Sequence, residues 1–340
     1  MNKNNRIGIF GLKSDNSLEQ FYIDAFKELK FKNIKFLSNN FLFKLFCILN
    51  NYKLFFLLNI FNFFQKKKIK KFLEYNKIDT FIIFKGIELD PSIFNIFKKK
   101  KINLINIYTD DPFNFSSSAT TSFNVTQNIK NFDLFCIWSQ KLKKRLESKF
   151  KKNNFYYLPF GFSEKKHIKL NAKIKKNNLS FVASFDRYRL KKLNKIKRRI
   201  SIYGNDWPNK SKHKIYKFIE GKNLSKIIAQ SEASLNILKK QNLNSHNMRT
   251  FEIPAMGGLM ITTRSLEQNK YFPENKAAYM FESIDELNKK LDYIIKNPKQ
   301  ALKVRQRGYK LSKQYSYKKR LKELINYVNS NKKILNFRYS

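Results

Sequence analysis

The sequence is poor in the residues that most often build metal sites, disulfides and nucleophilic triads. Its 340 residues include only two cysteines, three histidines and nine glycines. Cys47 and Cys136 stand in apolar surroundings and form no paired motif, so they predict buried thiols in a reducing compartment. A zinc site is excluded on ligand count, and no Ser/His/Asp order or Cys/His pair is present. Residues 8–11 (GIFG) are not a full dinucleotide-binding fingerprint.

Acidic residues are scarce as well. The 25 Asp and Glu stand against 70 Lys and Arg, a formal net charge of +45 that is typical of proteins that meet nucleic acid, anionic membranes or phosphorylated substrates. The cations are 58 Lys and only 12 Arg, beside 40 Asn and 34 Phe. Lys, Asn and Phe have A/T-rich codons. A protein that recognises nucleic acid is expected to have a larger share of Arg among its basic residues. Biased coding therefore explains much of the charge. A basic nucleic-acid or polyanion-binding protein is the alternative, although no helix-turn-helix, RNP or zinc motif is present.

Long apolar runs are missing too, since none reaches the roughly 20 residues that span a bilayer. The most apolar stretch, residues 41–64, is interrupted by two lysines and four asparagines and is followed by a basic cluster at 66–71. One interpretation is a pair of core helices on the first sheet. The other is an amphipathic surface, residues 41–71, that lies on an anionic membrane. The N-terminus shows no signal-peptide pattern, so we expect a cytoplasmic protein, peripheral at the inner membrane face under the second interpretation.

Short apolar segments alternate with helical patterns along the chain, which is typical of parallel α/β sheets. The predicted strands are residues 7–11, 80–84, 102–108, 134–138, 156–159, 179–183, 200–203, 233–238, 259–262 and 278–281. The predicted helices are residues 18–29, 141–150, 189–198 and 283–296. The pattern restarts after residue 161, so we expect two doubly wound Rossmann-like α/β domains, 1–162 and 163–318. A helical tail, 319–340, is expected to pack back on the first domain.

The most informative segment is residues 247–263. It predicts a helix that carries Arg249 and Glu252 on one face, then a turn at Gly257 and Gly258, then an apolar strand. A carboxylate in such a place can accept both hydroxyls of a ribose, and the neighbouring arginine can meet phosphate. A helix end with a surface ion pair explains the same residues, so both interpretations stay open on this pattern alone.

This segment resembles the CgeB-like (spore-maturation) glycosyltransferases, and residues 249–258 (RTFEIPAMGG) are the most specific match. Weaker matches follow in order over most of the chain: residues 108–113 (YTDDPF), 158–162 (LPFGF), 181–184 (FVAS), 203–207 (YGNDW) and 297–298 (NP). Related retaining enzymes place another glutamate eight residues before Glu252, where this chain has Asn244. The role of that glutamate in the related enzymes is therefore not assigned to Asn244.

The resemblance implies a GT-B fold, in which the two Rossmann-like domains face a central cleft. It implies a metal-independent hexosyltransferase-type enzyme of cell-surface glycan biosynthesis, with no cofactor and no specific nucleic-acid partner. The donor co-substrate would be a nucleotide-sugar, UDP- or GDP-linked above all, and the acceptor a glycan, a lipid-linked molecule or a protein. Retention of the anomeric configuration is expected because the Glu252 segment resembles retaining relatives. A GT-B nucleotide-sugar epimerase is the remaining alternative.

The resemblance also suggests roles for individual residues. Glu252 would hold the donor ribose, and Arg187, Arg189 or Arg249 would offset the charge that develops on the leaving diphosphate. The other residues expected on the donor side are Asn247, Gly204, Gly257 and Gly258.

Two adjacent carboxylates follow a predicted strand of the first domain. Asp110 and Asp111 lie where parallel sheets bind ligands, so one of them is expected to accept the proton of the acceptor hydroxyl or to orient that group. Turn chemistry at Asp-Asp-Pro explains them equally well. Gly11 and Gly161 are predicted to line the acceptor side of the cleft. His213 lies in a Lys-rich segment and is expected to be solvated.

Overall fold

The computed structural model describes residues 1–151, 154–208 and 211–331. The chain divides into two compact units. Unit 1 comprises Met1–Pro159 and the segment from Arg320 on, and unit 2 comprises Phe160–Lys319. Among the described residues, no helix combines the length and the apolar character needed to cross a membrane.

Unit 1 is built on a six-stranded parallel sheet with helices between the strands. Its elements are β1 (Ile7–Gly11), α1 (Leu18–Glu28), β2 (Ile34–Ser38), α2 (Asn40–Asn51), α3 (Leu58–Asn76), β3 (Thr80–Phe84), α4 (Phe94–Lys99), β4 (Asn103–Tyr108), α5 (Phe123–Asn128), β5 (Leu134–Ile137), α6 (Gln140–Lys149) and β6 (Phe155–Tyr157). The strand order is β2-β1-β3-β4-β5-β6, so the direction of winding reverses between β1 and β3. Open parallel sheets bind ligands at the carboxyl ends of the strands beside such a reversal point.

The central strands of unit 1 are continuous apolar runs because helices cover both faces of the sheet. All five residues of β1 and all five of β3 are buried. The Phe81 ring of β3 packs on Phe10 and Phe97, with centroid distances of 6.3 and 5.4 Å. By contrast, Leu37 is the one buried residue of the edge strand β2.

Unit 2 repeats the same architecture with a different strand order. Its elements are β7 (Lys175–Val182), α7 (Arg187–Leu193), β8 (Ser201–Tyr203), β9 (Lys214–Tyr216), α8 (Gly221–Gln230), β10 (Ser231–Asn236), α9 (Met248–Ala255), β11 (Met260–Thr263), α10 (Leu266–Tyr271), β12 (Tyr279–Phe281), α11 (Ile284–Lys296) and α12 (Pro298–Ser312). The order β12-β11-β10-β7-β8-β9 puts the reversal point between β7 and β10. The predicted pair of doubly wound parallel α/β domains is confirmed.

The last described helix is α13 (Tyr317–Ser330), most of which belongs to unit 1. Leu321 and Leu324 are fully buried, and the Tyr327 ring lies 4.4 Å from that of Tyr156. Asn329 Nδ2 donates to the Met1 carbonyl at 3.1 Å, which joins the two ends of unit 1. Residues 332–340 of the predicted tail lie outside the described residues.

Several local expectations need correction. Strands β2 and β9 and helix α12 are not predicted from the sequence, and α7 ends at Leu193 rather than at residue 198. His213 is buried rather than solvated, with Nε2 2.8 Å from the Leu193 carbonyl oxygen. Lys212 and Lys214 beside it are exposed, whereas the imidazole is buried with the Leu193 carbonyl and the Ile200 N–H as backbone partners.

The apolar stretch 41–64 forms α2, a 3-10 turn at Phe55–Leu57 and the start of α3. One side of each helix packs into unit 1, through Leu42, Phe46 and Leu49 on α2. The core-helix interpretation therefore accounts for one face of these helices. Many large apolar side chains of the same segment are exposed.

Candidate functional site

Three of the predicted donor-side residues meet at the reversal point of the unit 2 sheet. Arg249 Nε donates to the Val182 carbonyl at the end of β7, at 3.2 Å. Arg189 Nε donates to the Ile237 carbonyl just past β10, at 2.9 Å. Asn247 also reaches the end of β10. The carboxyl ends of the two strands are thus lined by residues that the sequence singles out, at the edge where such sheets bind ligands.

The start of α9 is fixed by side-chain hydrogen bonds. Asn247 caps the helix by accepting from the Thr250 N–H, and Thr250 returns a bond to the Asn247 backbone in a capping box. Asn247 Nδ2 also donates to Asn236 Oδ1 at 2.8 Å. Gln268 Oε1 accepts from the Thr250 hydroxyl at 2.7 Å. This network ties α9 to β10 and α10, so the side chains of its first turn are held in place.

Glu252 lies on the inner face of α9, where its side chain is only 1% exposed. Its Oε2 accepts from Arg249 Nη1, and its Oε1 lies 3.5 Å from His167 Nε2. A buried carboxylate needs such partners because desolvation of an unpaired charge is costly. Two protein contacts leave a carboxylate with further acceptor capacity.

His167 is a neutral partner of this carboxylate. Its Nδ1 accepts from the Ser163 N–H at 2.9 Å, so the hydrogen-bond network assigns the ring proton to Nε2, which faces Glu252. Burial lowers the pKa of His167 below its ordinary value, against the opposing effect of Glu252. His167 therefore places an N–H beside Glu252 without adding a positive charge.

The turn after α9 is held by glycine geometry and by a distant arginine. Gly257 has φ +73°, and the Gly257 and Gly258 N–H groups donate to the Pro254 and Ile253 carbonyls at 2.9 Å, which is a Schellman motif. Arg305 of α12 donates to the carbonyl oxygens of Gly257, Ser231 and Ala229. Burial lowers the pKa of Arg305 to about 10, which leaves the guanidinium charged. Sequence reasoning missed Arg305, because it is far along the chain from the glycine that it contacts.

The other donor-side residues have structural surroundings of their own. Arg189 is buried, with a pKa lowered to about 10 by desolvation and its guanidinium 5.8 Å from the centre of the Phe181 ring. Arg187 is exposed at the start of α7. A Cβ on Gly204 would lie 1.9 Å from the Ala183 carbonyl oxygen, so strand spacing alone requires this glycine.

Gly161 lies in unit 2 and not in the first domain, where it was predicted. A Cβ at this position would come 2.6 Å from the Tyr315 carbonyl oxygen, because residue 162 forms a β-bridge with residue 316. Close backbone approach explains this glycine without a ligand.

In unit 1, both predicted acceptor-side carboxylates have partners. Asp110 Oδ2 lies 2.6 Å from Lys85 Nζ, and Asp111 Oδ1 accepts from the Phe113 N–H at 2.9 Å. The Asp111 contact is the turn expected for Asp-Asp-Pro. The Asp110 side chain is 13% exposed, and its carboxylate pairs with a lysine side chain whereas that of Asp111 is held by a backbone N–H of the turn.

A cavity of about 120 Å³ lies at the reversal point of the unit 1 sheet. Its lining residues are Leu12, Leu18, Glu19, Asn39, Phe43, Phe84, Lys85, Glu88 and Thr109. Gly11 borders it, since a Cβ there would lie 2.7 Å from Glu19 Oε1. The mixture of carboxylate, amide, ammonium and hydroxyl groups over phenylalanine rings suits a ligand with hydroxyl groups.

Glu88 is the most perturbed acid of this cavity. Its side chain is fully buried, Oε1 accepts from Asn39 Nδ2, and Oε2 makes no hydrogen bond. Burial raises its pKa to about 7. A carboxyl group that titrates near neutral pH in a cavity is a candidate for proton transfer. Sequence reasoning missed it because Glu88 and Asn39 are far apart along the chain.

Residues 187–326 match the sequence model of a family described as glycosyl transferase-like. The match covers Arg249, Glu252 and both glycines of the turn. It agrees with the predicted enzyme class, a glycosyltransferase. The CgeB-like family itself stays a prediction, and no curated protein sequence gives a significant match.

Solved structures show the same fold at low sequence identity. Sucrose-phosphate synthase from Thermosynechococcus elongatus has a TM-score of 0.66 and 9% identity, over 96% of this chain and 100% of that one. The T4 phage enzyme BGT, solved with its UDP-glucose substrate, has a TM-score of 0.61 and 12% identity over 95% and 98%. A protein described as a UDP-N-acetylglucosamine 2-epimerase from Listeria monocytogenes has a TM-score of 0.59 and 9% identity over 97% of each chain.

The predicted GT-B fold is confirmed by these structures. Other matching structures, the pneumococcal O-GlcNAc transferase GtfA, the GtfA/B complex and TarM, are longer, and this chain spans 60%, 61% and 58% of their lengths. Among residues 1–151, 154–208 and 211–331, no three His, Cys, Asp or Glu side chains group so as to hold a metal ion.

Proposed function

We propose that this chain transfers a sugar from a UDP-sugar to a hydroxyl group of a glycan, lipid-linked or protein acceptor, without a metal ion and with retention. The observation that carries the proposal is the family match over residues 187–326, because it includes Arg249 and its buried partner Glu252 at the sheet edge where such sheets bind ligands. T4 phage BGT, whose fold is similar, has UDP-glucose as its substrate. Cytoplasmic localisation and a role in cell-surface glycan synthesis belong to the same proposal.

In this mechanism Glu252 accepts hydrogen bonds from the donor ribose. The carboxylate is nearly inaccessible while Arg249 covers it, so the Arg249 side chain, at 22% exposure, must turn away when the donor binds. The guanidinium then meets the diphosphate, where negative charge develops as the bond from the anomeric carbon to the leaving phosphate oxygen breaks. His167 keeps Glu252 paired throughout, which limits the cost of releasing Arg249.

Arg189 and Arg187 contribute differently. Arg189 is held by the Ile237 carbonyl and Phe181, so it supplies a fixed positive charge beside β7 and β10 rather than a mobile ligand. Arg187 is exposed and can reach out to the diphosphate. Asn247 keeps α9 in place, and Gly257 and Gly258 let the backbone come close to the donor.

On the acceptor side, the new bond forms between the acceptor oxygen and the anomeric carbon, and the hydroxyl proton leaves. With retention the leaving phosphate oxygen takes this proton, and Asp110 orients the hydroxyl beside the cavity that Gly11 borders. Asp111 holds the turn that positions Asp110. With inversion a carboxylate of unit 1 would take the proton instead.

The test is product analysis with UDP-, GDP-, dTDP- and ADP-sugars, each with and without an acceptor mixture. We expect thermal stabilisation by UDP-sugars and acceptor-dependent release of UDP, unchanged by EDTA. Altered sugar without acceptor would support the epimerase alternative, which the Listeria structure keeps open. Neither stabilisation nor turnover with any of the four donor classes would contradict the proposal. The configuration of the product decides between retention and inversion.

A further inference from the structure

One surface of unit 1 presents large apolar side chains to solvent. Eight side chains of residues 41–64 are at least 49% exposed, and we call them the aromatic surface: Phe41, Ile48, Tyr52, Phe55, Phe56, Ile60, Phe63 and Phe64. Single exposed apolar residues are ordinary, but so many in one segment mark an interaction site.

The helices that carry this surface are firmly packed on their other side. Along α3, Phe61, Gln65, Ile69 and Leu73 are buried at successive four-residue spacings, which defines one inward face. The rings of Phe46 on α2 and Phe61 on α3 pack at 5.9 Å. The aromatic surface is thus presented by two ordered helices and their connecting turn.

The charge around this surface has one sign. No acidic residue occurs between Glu28 and Glu74, whereas residues 41–71 carry seven lysines. Lys68 is held by the fold through the Ser38 carbonyl at 2.8 Å. Lys67, Lys70 and Lys71 are exposed.

On α3 the apolar and basic side chains follow each other along one side of the helix. Ile60, Phe64, Lys67 and Lys71 have the i, i+4, i+7, i+11 spacing of a single face. The rise from Ile60 to Lys67 along the helix axis is about 10 Å, so the apolar and basic groups occupy successive parts of this face. An apolar end can therefore enter the acyl boundary while the ammonium groups stay at the headgroups.

We infer that residues 41–71 dock unit 1 on an anionic lipid bilayer, with the aromatic surface in the acyl boundary and the lysines among the headgroups. A second copy of the chain is a poorer occupant, because a two-fold contact through this surface would bring lysines against lysines without an acidic partner. Docking on a bilayer selects a lipid-linked acceptor among the three proposed classes. This consequence rests on the proposed function, whereas the docking itself does not.

The experiment is co-sedimentation of the full chain, at moderate salt, with vesicles of pure phosphatidylcholine or of phosphatidylcholine mixed with phosphatidylglycerol as the minor, anionic component. We expect binding to the anionic vesicles at least tenfold tighter than to the neutral ones. K67Q/K70Q/K71Q should weaken it about 100-fold, since each lysine contributes about fivefold. The control K289Q/K296Q/K299Q removes the same charge from exposed lysines of α11 and α12 in unit 2 and should weaken it less than threefold.

A second variant, F55S/F56S/F63S, tests the apolar contribution and should lower binding at least tenfold with an unchanged urea midpoint, because all three rings are exposed. Equal loss in both lysine variants would overturn the proposal in favour of general charge attraction. The proposal is also overturned if the wild-type chain does not bind anionic vesicles but forms a dimer, measured by light scattering, and F55S/F56S/F63S is monomeric. Vesicle binding is measured in the absence of a UDP-sugar. A negative result would therefore contradict docking without bearing on UDP-sugar turnover, which is measured separately.

Discussion

At the scale of single residues, Glu88 makes the stability of unit 1 depend on pH. Its pKa is about 7 in the folded chain and 4.5 ordinarily, so folding favours the protonated form. The resulting stabilisation is complete below pH 4.5 and is lost as the pH rises through 7. Between pH 4.5 and 8 we expect the free energy of unfolding of the wild-type chain to fall by about 3 kcal/mol relative to that of E88Q, whose side chain cannot ionise. Urea titrations at four pH values measure this, and parallel pH profiles would contradict it.

The proposed role of Glu252 makes a second prediction at this scale. E252Q should weaken UDP-sugar binding 10- to 100-fold, corresponding to about 1.5–3 kcal/mol for a charge-assisted hydrogen bond. The control is E274Q, which removes a carboxylate paired with Arg264 at 2.9 Å as Glu252 is paired with Arg249. Calorimetric titration of both variants reads the affinity, with Tm as a check on folding. Equal affinities in the two variants would count against a ribose contact.

How much of the site can be predicted depends on distance along the chain. Arg249 and Glu252 are three residues apart on one helix, so their spacing alone places them together. Glu88 and Asn39 meet only because β3 and β2 flank β1 in the sheet. His167, near the start of unit 2, reaches Glu252 across 85 residues of sequence. Helical spacing carries no information on such contacts. Gly204 is the opposite case. Its sequence motif predicts a ligand contact, but its close backbone approach to Ala183 is enough to explain why glycine is required.

At the scale of secondary structure, Arg305 links α12 to the glycine turn, to the start of β10 and to the end of α8. R305K keeps the charge but cannot reach three carbonyl oxygens with one ammonium group. We expect a loss of about 2–4 kcal/mol in the free energy of unfolding, because part of a buried charge is left unpaired. Urea denaturation measures it, with R307K, on the exposed side of the same helix, as the control. A far smaller loss, similar to that of the control, would show that the carbonyl contacts are replaceable.

The strands differ in how visible they are in the sequence. Buried strands such as β1, β3 and β5 are continuous apolar runs, since both of their faces are covered. The strands β2 and β9 form edges and have one buried residue between them, so they leave no such run. Helix α12 was not predicted because Pro298, which follows the predicted helix 283–296, opens a second helix rather than a loop.

At the scale of the whole molecule, the net charge of +45 predicts two kinds of salt dependence. Binding of duplex DNA should be non-specific and fall at least 100-fold between about 50 and 200 mM salt, because it releases many counterions. UDP-sugar binding involves one diphosphate and should fall no more than about tenfold. Fluorescence titrations at four salt concentrations compare the slopes. Sequence-dependent DNA binding that survives the highest salt concentration would favour a nucleic-acid function.

The position of α13 has a consequence for the order of events during synthesis. Most of unit 1 precedes unit 2 in the sequence, but unit 1 also includes Leu321, Leu324 and Val328, which are buried and are made after unit 2. Unit 2 lies between, and at about 5–20 residues per second its translation takes roughly 8–30 s. For that time the surface of unit 1 around Tyr156 stays uncovered on the ribosome, although the whole of its sheet has been made. Unit 2, continuous in sequence, can complete its fold first.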